Sequence, residues 1–133
     1  MQETLCALLI STACLAAVQS SSPTDWIGVW QGELDGQPSV ILTLAADEGT
    51  LQGTLVLNGI SREGGTPHIA VREAHVLLHP MVTGTTLSFD VNGVRGSRGK
   101  MNFSVELTSG ERAKIRCLSC GDDAPVVEIT KED

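Results

Sequence analysis

The sequence predicts an all-β protein in which residues 21–133 form one eight-stranded antiparallel up-and-down barrel. After residue 20, apolar and polar residues alternate with a period of two in most of the chain. Short turns rich in glycine, aspartate and serine separate the alternating segments, and no segment has a sustained helical period. Short hairpin connections favour a meander, and closing a meander into a barrel removes the unpaired edges of the sheet.

Residues 1–20 differ from the rest of the chain and indicate a signal peptide. The run from Leu5 to Val18 carries no charge, and polar residues follow it. Such a run is too short to span a bilayer as a helix, but it fits the apolar region of a signal peptide with cleavage near Ser20. No Lys or Arg precedes the run, so a buried N-terminal helix is the alternative. We expect a secreted or periplasmic protein.

The charge of the chain limits its partners. Nine Lys and Arg residues stand against 16 Asp and Glu residues, so the 133-residue chain has a net charge of −7 at pH 7. An acidic surface repels phosphate backbones, and we therefore expect no nucleic-acid partner. No segment after residue 20 is long and apolar enough to suggest stable membrane insertion of the mature chain. The sequence indicates neither a cofactor nor an oligomeric state.

The first half of the predicted barrel contains four strands. The turn Asp47–Gly49 separates the second strand from the third, and a longer loop at residues 61–67 precedes the fourth. We expect Pro80 to end the fourth strand, because proline cannot donate a hydrogen bond to a neighbouring strand. The four predicted strands are residues 30–34, 40–45, 51–58 and 69–78.

The second half contains four more strands, and three of them show the clearest alternation in the chain. In residues 86–91 the apolar side chains of Leu87, Phe89 and Val91 alternate with polar ones. Ser109-Gly110 is typical of a tight hairpin turn. The four predicted strands are residues 86–91, 101–108, 112–118 and 126–131.

Both tryptophans of the chain lie within five residues of each other at the start of the first strand, where Gly28-Val29-Trp30 stands. This signature resembles the Gly-x-Trp motif of the calycin group, which includes the lipocalins, the fatty-acid-binding proteins and the avidins. The resemblance implies that Trp30 closes one end of a barrel core and that Gly28 lets the backbone bend. Trp26 is expected to plug the same end.

Other stretches extend the resemblance over most of the mature chain. The stretch from Leu42 to Leu55 is similar to the second hairpin of calycin barrels, and the wider pattern is similar to secreted bacterial lipocalin-like proteins. In lipocalins a basic side chain from a late strand covers the first-strand tryptophan; here Arg112, Arg116 and Lys131 are the candidates.

These features favour a non-enzymatic protein that binds a small apolar or amphiphilic molecule inside the barrel. Arg95 and Arg98, in a glycine-rich hairpin, are candidate contacts for an anionic group of the ligand, and a solvated turn is the alternative. Trp30 would close one end of the ligand site. Aliphatic and aromatic side chains of the strands would line the site: Leu42, Leu44, Leu55, Leu57, Leu87, Phe89, Val91, Phe103, Val105 and Ile115.

Two other functions stay open. The barrel can be packed solid and act through its surface, as an inhibitor or a cell-envelope partner. It can also be a small hydrolase or isomerase that uses Glu73 and His75. No Gly-x-Ser-x-Gly motif occurs in the chain, and the sequence singles out no set of catalytic residues.

The side chains of Glu73, His75 and His79 would share one face of an extended strand, a pattern that raises the question of a metal site. His75 and His79 would stand about 13 Å apart in an unbroken strand, which is too far for one ion to bridge. We therefore predict no metal site and expect surface histidines on the outer face of the barrel.

Cys117 and Cys120 are the cysteines that remain after removal of the signal peptide. Their Cys-x-x-Cys spacing is compatible with a redox dithiol, with half of a zinc site, or with a structural disulfide. Glycine and two aspartates follow the motif, which places it in a hairpin rather than at the start of a helix. In an oxidising compartment a small local disulfide is the favoured interpretation.

Overall fold

The computed structural model describes residues 21–96 and 98–133, with the side chain of Arg95 left out. The predicted signal peptide, residues 1–20, lies outside the described residues. The described chain contains one short helix, nine strands and a 3₁₀ helix at Val94–Gly96. The helix and strands are α1 Pro23–Trp26, β1 Gly28–Leu34, β2 Gln37–Asp47, β3 Thr50–Ser61, β4 His68–Val76, β5 Leu78–Thr83, β6 Thr86–Asn92, β7 Lys100–Leu107, β8 Arg112–Cys117 and β9 Val127–Lys131.

All nine strands belong to one antiparallel sheet with the order β4-β3-β2-β1-β9-β8-β7-β6-β5. Strand β1 pairs with both β2 and β9, so the first and the last strand are neighbours in the middle of the sheet. The sheet curls into a nearly closed up-and-down barrel. The predicted all-β antiparallel barrel is therefore confirmed, with nine strands instead of eight.

The ninth strand arises because one predicted strand is bent into two. Strands β4 and β5 follow each other directly: β4 pairs with β3, and β5 pairs with β6. At the bend, the Leu77 amide donates to the Gly53 carbonyl at 3.0 Å, and His79 has a positive φ of 51°. Pro80 lies inside β5, so the prediction that it ends the strand is wrong. Because β5 is at an edge of the sheet, Pro80 can be accommodated there without loss of a ladder bond.

The connections between strands define two ends of the barrel. The turns β2–β3, β5–β6 and β7–β8 lie at one end together with α1, which we call the closed end. The connections β1–β2, β3–β4, β6–β7 and β8–β9 lie at the other end, which we call the open end.

Inward-facing side chains of the strands form the core. Paired residues of neighbouring strands share one face of a sheet, and the buried members of these pairs define the interior. For example, Trp30 pairs with Leu42, which pairs with Leu55, and all three side chains are inaccessible to solvent. The remaining fully buried large side chains are Trp26, Leu87, Val91, Val105 and Ile129.

Helix α1 is a single turn that seals the closed end. Pro23 stands in its first turn, where a missing N–H costs nothing, and the Ser22 amide donates to the Asp25 carboxylate at 2.8 Å. The Ser21 amide donates to the Gly84 carbonyl at 2.9 Å and ties the segment to the β5–β6 turn. No helix in the described ranges is both long and apolar enough to cross a bilayer.

Candidate functional site

The two tryptophans fill the closed end of the barrel. The Trp30 indole N–H donates to the Trp26 carbonyl at 2.9 Å, and the Trp26 indole N–H lies 3.4 Å from the Ser21 hydroxyl. Their ring centroids are 5.8 Å apart with an interplanar angle of 43°. Both polar N–H groups thus have partners although both side chains are fully buried, so the two indoles fill the interior of the barrel at this end.

Lys131 is the basic residue that covers the first-strand tryptophan. Its ammonium nitrogen lies 5.3 Å from the centre of the Trp30 ring and donates to the Asp25 carbonyl at 2.9 Å. The strand register explains why Lys131 and neither arginine covers the ring, since Lys131 pairs directly with Trp30. Arg112 and Arg116, the other two candidates, are exposed on β8 and point outward between buried Ala113, Ile115 and the half-buried Cys117.

A cavity of about 470 Å³ occupies the open end. This volume is within the range of small-molecule sites, roughly 300–1,000 Å³. Apolar side chains from five strands and the 3₁₀ helix line it: Val40, Leu57, Val94, Met101, Phe103, Ile115 and Val127. The cavity can therefore take an apolar group of a small molecule without a change in the barrel.

One wall of the cavity comes from the connection between β8 and β9. Asp123, Ala124 and Pro125 line this wall together with Cys117 and Cys120. The two cysteine sulfurs lie at disulfide distance and the Cα atoms are 5.5 Å apart. The disulfide thus fixes the first residues of the connection to the end of β8, as the favoured interpretation of the Cys-x-x-Cys motif requires.

Some polar groups at the open end of the barrel bind other groups of the protein itself. The guanidinium of Arg62 binds both carboxylate oxygens of Asp35 and links the β3–β4 loop to the β1–β2 turn. The hydrogen bond from Arg62 to Asp35, together with the negative charge of Asp35, raises the pKa of Arg62 above its ordinary value. The buried Asn58 amide donates to the Pro38 carbonyl at 2.8 Å. No buried side-chain nitrogen or oxygen among the described residues lacks a hydrogen-bond partner.

The structure divides the predicted ligand-lining residues into three groups. Leu57, Phe103 and Ile115 line the open-end cavity. Phe89 stacks on Phe103 with ring centroids 5.5 Å apart, so it supports the wall from inside the core. The other predicted residues are packed in the core away from the cavity: Trp30, Leu42, Leu44, Leu55, Leu87, Val91 and Val105.

The two arginines predicted as anion contacts lie at the open end, in the β6–β7 connection. Arg98 is exposed, and the backbone of Arg95 belongs to the 3₁₀ helix. The side chain of Arg95 lies outside the described atoms. Contact between these arginines and an anionic ligand stays a prediction.

Sequence reasoning missed several cavity residues. Val94 is buried and lines the cavity, although it lies in a glycine-rich connection without strand periodicity. Val40, Met101 and Val127 also line the cavity and belong to predicted strands. Their inward direction was readable from the alternation, but the position of the cavity along the barrel was not.

Glu73 and His75 face the interior and not the outside. Glu73 pairs with Leu57 and His75 with Leu55, and the exposed fractions of their side chains are 23% and 11%. The prediction of an outer-face histidine is therefore wrong for His75, whose Nε2 lies 3.4 Å from a carboxylate oxygen of Glu73. His79 is exposed beyond the bend and does not join the pair.

A smaller cavity of about 370 Å³ adjoins Glu73, and Leu57, Gly59, Val71 and Glu73 line it. Within the described part of the chain, no three His, Cys, Asp or Glu side chains are grouped as ligands for a metal ion.

No protein-family model matches the chain, and no significant match is found among curated proteins or solved structures. The site must therefore be interpreted from its own geometry.

Proposed function

We propose that this protein is an exported, non-enzymatic barrel of the calycin type that binds a small apolar or amphiphilic molecule at its open end. The apolar cavity of about 470 Å³ is the observation that carries the proposal. Because the closed end is filled by two tryptophans, the ligand would enter from the open end and stop above the packed core.

Two features support the calycin-type assignment. The first is the Gly28-Val29-Trp30 signature on β1. The second is the position of Lys131 over the Trp30 ring, which matches the arrangement that the lipocalin resemblance implies. The apolar N-terminal run and the Cys117–Cys120 pair support export, since disulfides persist mainly outside the reducing cytosol.

Binding can be measured with N-phenyl-1-naphthylamine, a neutral apolar molecule whose fluorescence rises in apolar surroundings. We expect saturable binding to the mature protein with a Kd in the micromolar range, about 8 kcal/mol of binding free energy. Met101→Trp places a larger side chain into the cavity wall and should weaken binding at least tenfold.

Met81→Trp is the matched control, because Met81 is exposed on β5 and does not line the cavity. It should leave the affinity for the probe within twofold of the wild type. Absence of saturable binding to the wild type, or an equal loss of affinity in both variants, would contradict the proposal.

A further inference from the structure

One glycine on the inner wall of the barrel stands where a residue with a side chain would be expected. Gly59 lies within β3 and pairs with Val71 of β4. A glycine inside a strand loses more conformational freedom on folding than any other residue and adds no side chain to the packing, so its presence needs a reason. The usual reasons are a positive φ, a close neighbour within the protein, and the close approach of a ligand.

Neither of the first two reasons applies to Gly59. Its φ is not positive, although the β3–β4 ladder shifts register directly after it. A Cβ atom at this position would lie 3.5 Å from the Cβ atom of Val71, which is an ordinary packing distance. The other strand glycines differ. Gly28 has a φ of 137°, and a Cβ atom at Gly32 or Gly53 would collide with a carbonyl oxygen of the neighbouring strand.

The space beside Gly59 belongs to the cavity of about 370 Å³, which Leu57, Val71 and Glu73 also line. Leu57 pairs with Glu73 and Gly59 pairs with Val71, so all four residues share the inner face of β3 and β4. Val71 is 54% exposed although it points inward, so protein atoms do not fill this part of the interior. The missing side chain thus leaves a trough on the inner wall, which we call the Gly59 trough.

The Gly59 trough adjoins the open-end cavity. Leu57 lines both spaces, and Gly59 is the next inward position of β3 toward the open end. A ligand chain that fills the open-end cavity can therefore continue past Leu57 and lie against Gly59 and Val71. Close contact between such a chain and the backbone of β3 requires a residue without a side chain, which is the third reason for a glycine in a strand.

We propose that the Gly59 trough is the second part of the ligand site and that Gly59 determines how long a ligand the barrel accepts. The inference rests on the proposed binding function and adds to it the class of ligand. This class is an unbranched amphiphile whose alkyl chain is longer than the open-end cavity holds. A compact apolar molecule would occupy the open-end cavity alone.

The chemistry of the trough suits the methylene groups of such a chain. Leu57 and Val71 offer apolar walls, and Gly59 offers backbone without a side chain. Glu73, the polar member of the trough, lies one inward position nearer the closed end, and its carboxylate is 3.4 Å from Nε2 of His75. The chain therefore leaves the cavity on the side of Gly59 and Val71, toward the open end, where its polar group stays in solvent.

The test is competition against bound N-phenyl-1-naphthylamine by 1-octanol, 1-decanol and 1-dodecanol, which are neutral and differ only in chain length. Each CH₂ group that reaches apolar wall strengthens binding about fourfold. For the wild type we therefore expect the affinity to rise about tenfold with each two added carbons, up to 1-dodecanol. Gly59→Ile fills the trough, so it should bind 1-octanol within about twofold of the wild type and 1-dodecanol about tenfold more weakly.

Val71→Phe narrows the same trough from β4 and should act in the same way, so the test does not depend on the folding of one variant. The matched control is Ala74→Ile, which adds bulk on the exposed outer face of β4, away from both cavities. It should bind all three alcohols within about twofold of the wild type. An equal loss of 1-dodecanol affinity in the control, or an unchanged affinity in both trough variants, overturns the inference.

The same series separates this inference from the proposed function. If the probe binds but the affinity stops rising at 1-octanol, the inference is overturned and the proposed function stands. If neither the probe nor any of the alcohols binds, both are overturned.

A measurement without ligand tests the reason for the glycine. Gly59→Ala should unfold at an equal or higher urea concentration than the wild type, because alanine loses less conformational freedom on folding and its Cβ atom finds room. A midpoint lowered as far as that of Gly53→Ala, whose added carbon must displace backbone, would show that the barrel itself needs Gly59 and overturns the inference.

Discussion

Lys131 covers the indole ring of Trp30, with its ammonium nitrogen 5.3 Å from the ring centre. The two residues are direct partners in the ladder between β1 and β9, so the contact joins the first strand of the barrel to the last. The same ammonium group donates to the Asp25 carbonyl in α1. One side chain thus connects the N-terminal turn, the first strand and the last strand at the closed end.

Removal of this charge should destabilise the barrel measurably. Lys131→Met keeps most of the aliphatic stem but loses the cation–π contact and the hydrogen bond to Asp25, together about 2 kcal/mol. Urea denaturation followed by tryptophan fluorescence measures the loss. Lys114→Met, at an exposed position on β8, is the control and should change the free energy of unfolding by about 0.5 kcal/mol or less. Equal values for both variants would contradict a role of Lys131 in closing the barrel.

Gly53 permits a close approach between β2 and β3 that no residue type with a Cβ atom would allow. A Cβ atom at Gly53 would lie 1.9 Å from the Thr43 carbonyl oxygen, so Gly53→Ala must displace backbone. We expect a loss of about 3 kcal/mol in the free energy of unfolding. Gly110→Ala, in the β7–β8 turn where no atom lies within 4 Å of the added carbon, should be nearly neutral. An unchanged free energy of unfolding in Gly53→Ala would show that the strands can separate at this point.

The strands could be predicted from the sequence where the two faces of a strand differ strongly. In β6 the buried Leu87, Phe89 and Val91 alternate with polar residues, and the prediction of this strand holds within one residue. The bend between β4 and β5 could not be predicted. Pro80 indicated an end of the strand, whereas the hydrogen bond from Leu77 to Gly53 and the change of pairing partner from β3 to β6 show that the chain turns there and continues.

The candidate site was less accessible to sequence reasoning. Alternation in β4 placed Glu73 and His75 on one face and the apolar Ala74 and Val76 on the other, which is the outer face of the barrel. Because these two outward residues are not polar, the alternation of the strand's residues does not identify which face points into the barrel. The cavity depends on how far the core side chains fill the barrel, which is a property of three-dimensional packing and not of any strand.

The disulfide between Cys117 and Cys120 should add little to the stability of the barrel. It closes a loop of four residues, for which the chain-entropy argument gives about 2 kcal/mol or less. We therefore expect C117S/C120S to stay folded and to lose no more than this amount in urea denaturation. Intact mass before and after reduction checks the bond itself, since reduction adds two hydrogen atoms. An unfolded double variant would show that the β8–β9 connection depends on the bond.

Leu55 and Leu57 lie two residues apart on the inner face of β3, yet their truncation should cost different amounts of stability. Leu55 is fully buried in the packed core, and Leu55→Ala leaves an internal void that should cost about 2–5 kcal/mol of stability. Leu57 is half-buried and borders both cavities, so Leu57→Ala enlarges an existing space and should cost less than about 2 kcal/mol.

The order should reverse for ligand binding. Leu57→Ala removes apolar wall from the open-end cavity and should weaken binding of N-phenyl-1-naphthylamine severalfold, whereas Leu55→Ala should leave it within about twofold under conditions where the variant is folded. Urea denaturation and fluorescence titration of the same two variants give both quantities. If Leu55→Ala weakens binding more than Leu57→Ala does, the ligand lies deeper than the open end, among the side chains that the structure shows packed against each other.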